Sequence, residues 1–456
     1  MRTIILTALI LAATASADAQ DIDAVLKSVE QNNVELKAMQ KGNEATGLEI
    51  KSANTLEDLS IEYSPFYQSG VRGMASSELV VTQGFDFPTL YGARKKAGEL
   101  RRNVLDMQYR AARRDILLAA KKLCLDIVGY NKQKQLLKER RKNADELLDM
   151  FKVKFDNGDA TSLELNKIKL DRMNLETELV QADTKHATAL RQLQALNGGE
   201  PVTLDMTEYP APPTDDEATM YEKAVASDWT VRTAQAAVLA AEQDVKVNKQ
   251  GWIPKLEVGY RRNTDGSSAS NGFLVGGSIP LFSSRNKVKI AKARQTEAAM
   301  QQANARINAE SSARALINQM RQLKASADAY DVPLMRQTLR LLRTAVENGE
   351  ISITDYYVEA ENIYKNMTAY MDIERQYQDV VTEIYKNDLY RERRPLRVFE
   401  MRGSRDPTWD DPQIYDLIFS KLRYRSLNLS YTAMYRSGRY WIIASVKSSR
   451  VTEASL

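Results

Sequence analysis

The chain has 456 residues, 64 Lys/Arg against 60 Asp/Glu, a single histidine (His186) and a single cysteine (Cys124). One cysteine excludes an intrachain disulfide, and one His with one Cys leave no His/Cys metal cluster and no Cys–His pair placed for catalysis. The net charge of +4 is unevenly spread: residues 391–456 hold 13 Lys/Arg and 7 Asp/Glu, leaving 51 against 53 elsewhere, so the basicity argues for no nucleic-acid groove.

Residues 1–19 read as a secretory signal. Arg2 supplies the positive start, Ile4 to Ala15 the apolar core and Ala17-Asp18-Ala19 an A-x-A cleavage site. That core is too short to span a bilayer. No cysteine stands at the cleavage site, so no N-terminal lipid anchor is expected. Asp21 to about Asn54 is predicted to be one helix with Val25, Val29, Leu36, Met39 and Leu48 as its apolar positions. Two strands follow, at about 57–67 and 77–87. In Leu59-Ser60-Ile61-Glu62-Tyr63 and in Leu79 to Phe87 the odd positions carry most of the apolar side chains, which puts one face in oil and one in water. Pro88 stops the second strand.

From about Gly92 to Phe155 a heptad runs through Tyr109, Ile116, Leu123, Tyr130, Leu137, Ala144 and Phe151. About 64 residues at 1.5 Å each make a rod of roughly 95 Å. Within it Cys124 is expected to be packed and inert. The helix ends at Asn157-Gly158, where glycine tolerates the left-handed backbone of a helix C-terminus. Thr161 then N-caps a return helix from Ser162 to about Asn197, with Glu164 as its capping-box acid. His186 on that helix is expected at the surface. Gly198-Gly199 and the prolines from Pro201 to Pro213 mark a connection.

The order then repeats. Thr214 to Gln250 is predicted helical, and strands follow at about 255–263 and 272–282 around a Gly/Ser-rich loop, Asn263 to Asn271. A long helix runs from about Arg285 to Val346, kinked at Pro333, with Leu316, Met320, Leu323, Ala327, Tyr330, Leu334 and Leu341 on one stripe. A second turn, Asn348-Gly349, leads through Ser352 as cap, with Asp355 as its acid, to a helix from Ile353 to Leu389. Gly158 and Gly349 lie 191 residues apart and Pro88 and Pro280 192 apart. The fold class is therefore mainly α with a small β part, built as a duplicated helix–strand–strand–long-helix–turn–helix unit over 20–200 and 214–390, joined by a linker at 201–213. In each unit the two shorter helices sum to about the length of the long one, so stacked end to end they make a wall of constant height. Four amphipathic strands cannot close a barrel, and open edges cannot face lipid. Three chains sharing one membrane barrel would supply twelve. Residues 391–456 fit neither unit, hold strand-like runs at Leu427 to Tyr431 and Tyr440 to Val446, and carry no assigned role.

With both repeats on the page, the chain resembles the TolC-type outer-membrane efflux proteins over Asp21 to about Leu389. The strand-end segments Gln83 to Pro88 and Ser278 to Phe282, and both hairpin turns, carry the likeness. Phe87 to Lys95 is similar to the heavy-metal branch. The resemblance implies a homotrimer with a β-barrel in outer-membrane lipid and a helical tunnel in the periplasm, coupled to a periplasmic adaptor and an inner-membrane efflux pump. It implies a tip formed by Asn157, Gly158, Thr161, Glu164, Asn348, Gly349 and Ser352 that meets the adaptor. An acidic entrance ring maps onto Asp355; the second acidic position falls on Val358, with Glu359 adjacent. The expected protein is a passive duct, with no cofactor, metal or catalytic residue. The alternative is a periplasmic adaptor, against which the two full repeats and four lipid-patterned strands count. An enzyme is disfavoured by the absence of a recognisable nucleophile or phosphate loop.

Overall fold

The computed structural model describes residues 21–390 apart from 71, 267 and 281–284, together with two further strands at 429–436 and 439–446. The signal segment, Phe282 and most of the tail lie outside the described residues. The chain divides into two units, 1–390 and 391–456. In the second, β5 (Leu429–Arg436) and β6 (Arg439–Val446) pair as an antiparallel hairpin.

The first unit begins with two helices where one is predicted: α1 (Ile22–Asn32) and α2 (Val34–Ser52). The break is at Asn33, an N-cap whose side-chain oxygen accepts from Leu36 N–H at 2.9 Å. Its amide donates to the Leu196 carbonyl at 2.9 Å. Strands β1 (Leu59–Phe66) and β2 (Ser76–Phe85) follow. Pro88 does more than end the second strand. It is the first residue of α3 (Pro88–Asp156), whose 69 residues at 1.5 Å each span about 100 Å. Proline suits that position because its missing N–H is one the helix leaves unpaired. The corner is tied by the Asp86 N–H donating to the Tyr91 hydroxyl and by Arg94 on the Asp86 carboxylate at 2.6 Å.

Helix α4 (Ser162–Leu196) returns along α3. In the linker Val202 and Leu204 are buried, and Asn131 on α3 donates to the carbonyls of Leu204 and Met206. The predicted helix 214–250 is again two, α5 (Glu217–Ala226) and α6 (Trp229–Lys249). They part at Asp228, whose carboxylate accepts from the N–H groups of Thr230 and Val231. Asn33 and Asp228 are 195 residues apart, so this break belongs to the repeat.

Strands β3 (Lys255–Asp265) and β4 (Ser268–Ser278) extend through most of the stretch expected as loop, leaving a tight turn. The last long helix is also divided. Helix α7 (Lys287–Asp328) stops, Asp331 caps α8 (Val332–Glu347) by accepting from Leu334 N–H, and Pro333 sits in the first turn. The expected kink is thus a full break. It also shifts the helical phase, so Leu334 and Leu341 face outward while Met335, Leu339 and Leu342 pack inward. Helix α9 (Ile353–Ile384) and a short 3-10 turn, Lys386–Tyr390, complete the unit. The α3 heptad behaves as expected, with Ile116, Leu137, Ala144 and Phe151 buried. Cys124 is fully buried and burial pushes its thiol up to about 12. His186 is half-buried rather than plainly exposed.

Candidate functional site

Two regions of the first unit stand out: the four-stranded sheet at one set of helix ends and the paired hairpin turns at another. The sheet runs β1-β2-β3-β4, all antiparallel, so strands of the two repeats pair at β2–β3. The register aligns Ile61, Val81, Tyr260 and Phe273 in one row, and Leu59, Gln83, Val258 and Val275 in the next. Residues directly opposite in antiparallel strands share a face, so these rows make one apolar face. The other face holds Ser60, Glu62, Glu78, Thr82, Gly259 and Arg261, with Arg261 paired to Glu78 at 3.0 Å. The apolar face is bare: Ile61 is 66%, Phe273 93% and Val275 83% exposed. β1 and β4 are left as unpaired edges.

The hairpin turns are built alike. Gly158 and Gly349 both take a left-handed backbone, φ +83° and +76°. In the first turn Gly158 N–H donates to the Phe155 carbonyl and Asp159 N–H to that of Lys154; in the second, Gly349 reaches Val346 and Glu350 reaches Ala345. These bonds satisfy carbonyls that a helix end otherwise leaves open. The caps differ. Thr161 Oγ1 accepts from Glu164 N–H, and the Glu164 carboxylate accepts from both Thr161 N–H and the Thr161 hydroxyl, closing a full capping box. Those bonds hold the Glu164 carboxyl below its usual range. Ser352 caps Asp355 N–H in the same way, but the Asp355 carboxylate accepts only the Ser352 hydroxyl, at 2.7 Å. Aspartate is one methylene shorter than glutamate, so the expected box is here half-formed. Asn348 donates to the Glu350 carboxylate at 3.1 Å.

Both turns lie at one end of the helices, because Ala160 and Ile351 pack on the same apolar cluster of Leu147, Phe151, Ile168, Val346, Ile353 and Tyr356. The structure thus brings Asn157, Gly158, Thr161, Asn348, Gly349 and Ser352 together as an exposed tip, with Glu164 half-buried beside them. Asp355, Val358 and Glu359 are exposed on the first turns of α9.

Sequence reading missed a residue that joins the hairpins. Arg140 on α3 is nearly buried. Its guanidinium lies 3.6 Å from Glu178 and 3.9 Å from Asp171 on α4, 3.3 Å from Glu361 on α9, and 4.2 Å above the Tyr364 ring. Burial raises the Asp171 carboxyl above its usual value even beside this cation. On the other side Arg343 of α8 donates to Asn143 and pairs with Glu146, both on α3. No local pattern marks either arginine, because every partner across the interface is remote in sequence.

Residues 220–387 match the family model described as outer membrane efflux protein. The nickel and cobalt resistance protein CnrC of Cupriavidus metallidurans is 27% identical over 53% of this chain, a match that spans 58% of that relative's length. Among solved structures, the CmeC outer membrane channel of Campylobacter jejuni matches over 80% of this chain and 85% of its own, with TM-score 0.64 and 16% identity. The open-state MtrE outer membrane channel of Neisseria gonorrhoeae covers 80% and is covered over 88%, with TM-score 0.62 and 13% identity. At this identity the likeness is one of fold, shared with both channels. Family model and fold agree in kind: residues 220–387 match the outer membrane efflux protein model, and the described helical and sheet unit has the fold of these channels.

Proposed function

We propose that the protein is the outer-membrane duct of a tripartite efflux system, a homotrimer that performs no catalysis. The observation that carries this reading is the sheet. It has one bare apolar face, one polar face and two open edges, and a membrane tolerates none of these edges unpaired. Pairing β4 of one chain with β1 of the next closes a twelve-stranded barrel from three chains, apolar side to lipid and Glu62, Glu78 and Arg261 to the lumen. The helices continue the lumen through the periplasm, and the tip residues meet a periplasmic adaptor bound to an inner-membrane pump that supplies the energy. Phe87 to Lys95 and the likeness to a nickel and cobalt resistance protein favour a metal cation as cargo.

At the entrance, Asp355 from three chains makes an anionic ring around a narrow axis, with Glu359 one turn further in. Reconstitution tests both levels. The purified protein is expected to be a detergent-dependent trimer that conducts ions across a planar bilayer; a detergent-free monomer would sink the duct reading. Asp355→Asn keeps shape and capping but removes charge. Cation preference and block by a trivalent cation are expected to weaken, most clearly at low salt. Unchanged selectivity at two salt concentrations leaves Asp355 as a helix cap alone.

A further inference from the structure

Just beyond the apolar sheet face, three helix ends carry cations with no ion-pair partner among the described residues. Helix α6 packs between α3 and α7. Gln243 on α6 donates to the Ala93 carbonyl at 3.2 Å, which sets the end of α6 level with the beginning of α3. Lys246 and Lys249 occupy the last turn of α6, Lys287 and Lys289 the first turn of α7, and Lys95 and Lys96 the third turn of α3. All six are exposed, and none has an ion-pair partner among the described residues. At 1.5 Å per residue they fall within about 12 Å of the strand ends. Trp252, 68% exposed, sits between α6 and β3 at the level where an indole ring suits a membrane–water boundary. Neighbouring cations nearer the corner are already matched, Arg94 with Asp86 and Lys255 with Glu57, so the fold neutralises charge there selectively.

Local helix electrostatics do not account for the belt. Lys246 and Lys249 suit a helix C-terminus, but Lys287 and Lys289 stand at the positive end of α7, whose first turn contains no acid. A repelled pair of lysines at a helix start calls for an anion from outside the chain. We propose that this belt binds the headgroups of anionic phospholipids in the leaflet that faces the helices. It is continuous with the apolar face, its height matches a headgroup layer, and lysines of this length reach such a layer with their stems still on apolar surface. The inference rests on the outer-membrane reading of the sheet.

The test places the full-length protein in nanodiscs of equal phosphatidylcholine and phosphatidylglycerol and counts retained lipid by native mass spectrometry. Wild type is expected to hold phosphatidylglycerol about fivefold over phosphatidylcholine. Replacing the six lysines by Gln should bring the ratio near unity, while five exposed lysines elsewhere (Lys37, Lys167, Lys169, Lys185 and Lys324→Gln) should leave it high. No enrichment in wild type, or equal loss in both variants, overturns the belt. So does a six-lysine variant that changes channel ion selectivity but keeps its lipid, which would place the cations in the lumen. Protein that never enters the nanodisc overturns the channel reading, and this inference with it.

Discussion

The two hairpins descend from one pattern yet are built differently. In the first, α3 runs unbroken for 69 residues and packs against α4, which opens with a complete capping box. In the second, the corresponding stretch is cut at Ala329–Asp331, and α8 buries only Val346 fully. The second turn carries half a box. What the repeats share is instead at their ends: a left-handed glycine at each tip, and a polar N-cap, Asn33 or Asp228, where the stacked short helices meet. The lesson is that equal wall height and matching turns are required of both halves, whereas continuity of the long helix is required of neither. The first hairpin is the scaffold, and the second is held to it by a shared apolar cluster and by ion pairs that include those of Arg140 and Arg343.

That contrast can be broken first at the clasp. Arg140→Met should destabilise the protein by about 2–4 kcal/mol, because Asp171 and Glu361 lose a nearly buried cation. Arg343→Met, on the more exposed side, should cost about 1 kcal/mol or less. Thermal unfolding gives both numbers, and hydrogen exchange over Tyr356–Tyr364 should rise in the first variant only. Equal costs would mean that the clasp has no dominant arm.

The tip comes next. Nothing lies within 4 Å of a Cβ added at Gly158 or Gly349, so the penalty there is backbone strain alone. Gly158→Val and Gly349→Val should therefore cost similar amounts, about 1–3 kcal/mol, and both should abolish export and adaptor crosslinking while the barrel still inserts. A large effect at only one glycine would show that the adaptor reads the hairpins unequally. The caps separate the halves on a smaller scale. Thr161→Ala should cost about 1 kcal/mol by unfolding, and Ser352→Ala visibly less, because its acid reaches no backbone N–H.

The last contrast is one of pH. Asp379 on α9 pairs with Arg375 at 3.2 Å, yet burial, then the nearby Asp126 carboxylate, raise its carboxyl to about 6 from 3.8. The fold therefore binds a proton more tightly than the unfolded chain, and this group's contribution weakens as pH rises from about 4 to about 6. Glu164 runs the opposite way, its contribution being lost as pH falls below the usual glutamate range. Asp379→Asn should flatten the fall in stability with rising pH, and Glu164→Gln the fall under acid, each followed by thermal unfolding against pH.

Much of this was legible in the residues alone. Period-2 and heptad spacing depend only on which neighbours share a face, so the strands, the α3 stripe and both return helices could be read directly. The turns were legible because a glycine followed by a capping hydroxyl is a local device, complete within eight residues. The breaks at Asn33 and Asp228 carried a signal too, since Asn and Asp are strong N-caps, but each stood inside a longer apolar pattern that argued for continuity. Tertiary structure decided the rest. Asn33 ends a helix because its amide meets the Leu196 carbonyl, 163 residues away. Pro333 divides rather than bends its helix because Asp331 captures the new start. Arg140 is a clasp only because α4 and α9 bring carboxylates and a ring to it. Such contacts join residues whose separation along the chain bears no relation to their distance in space, and no periodicity encodes them.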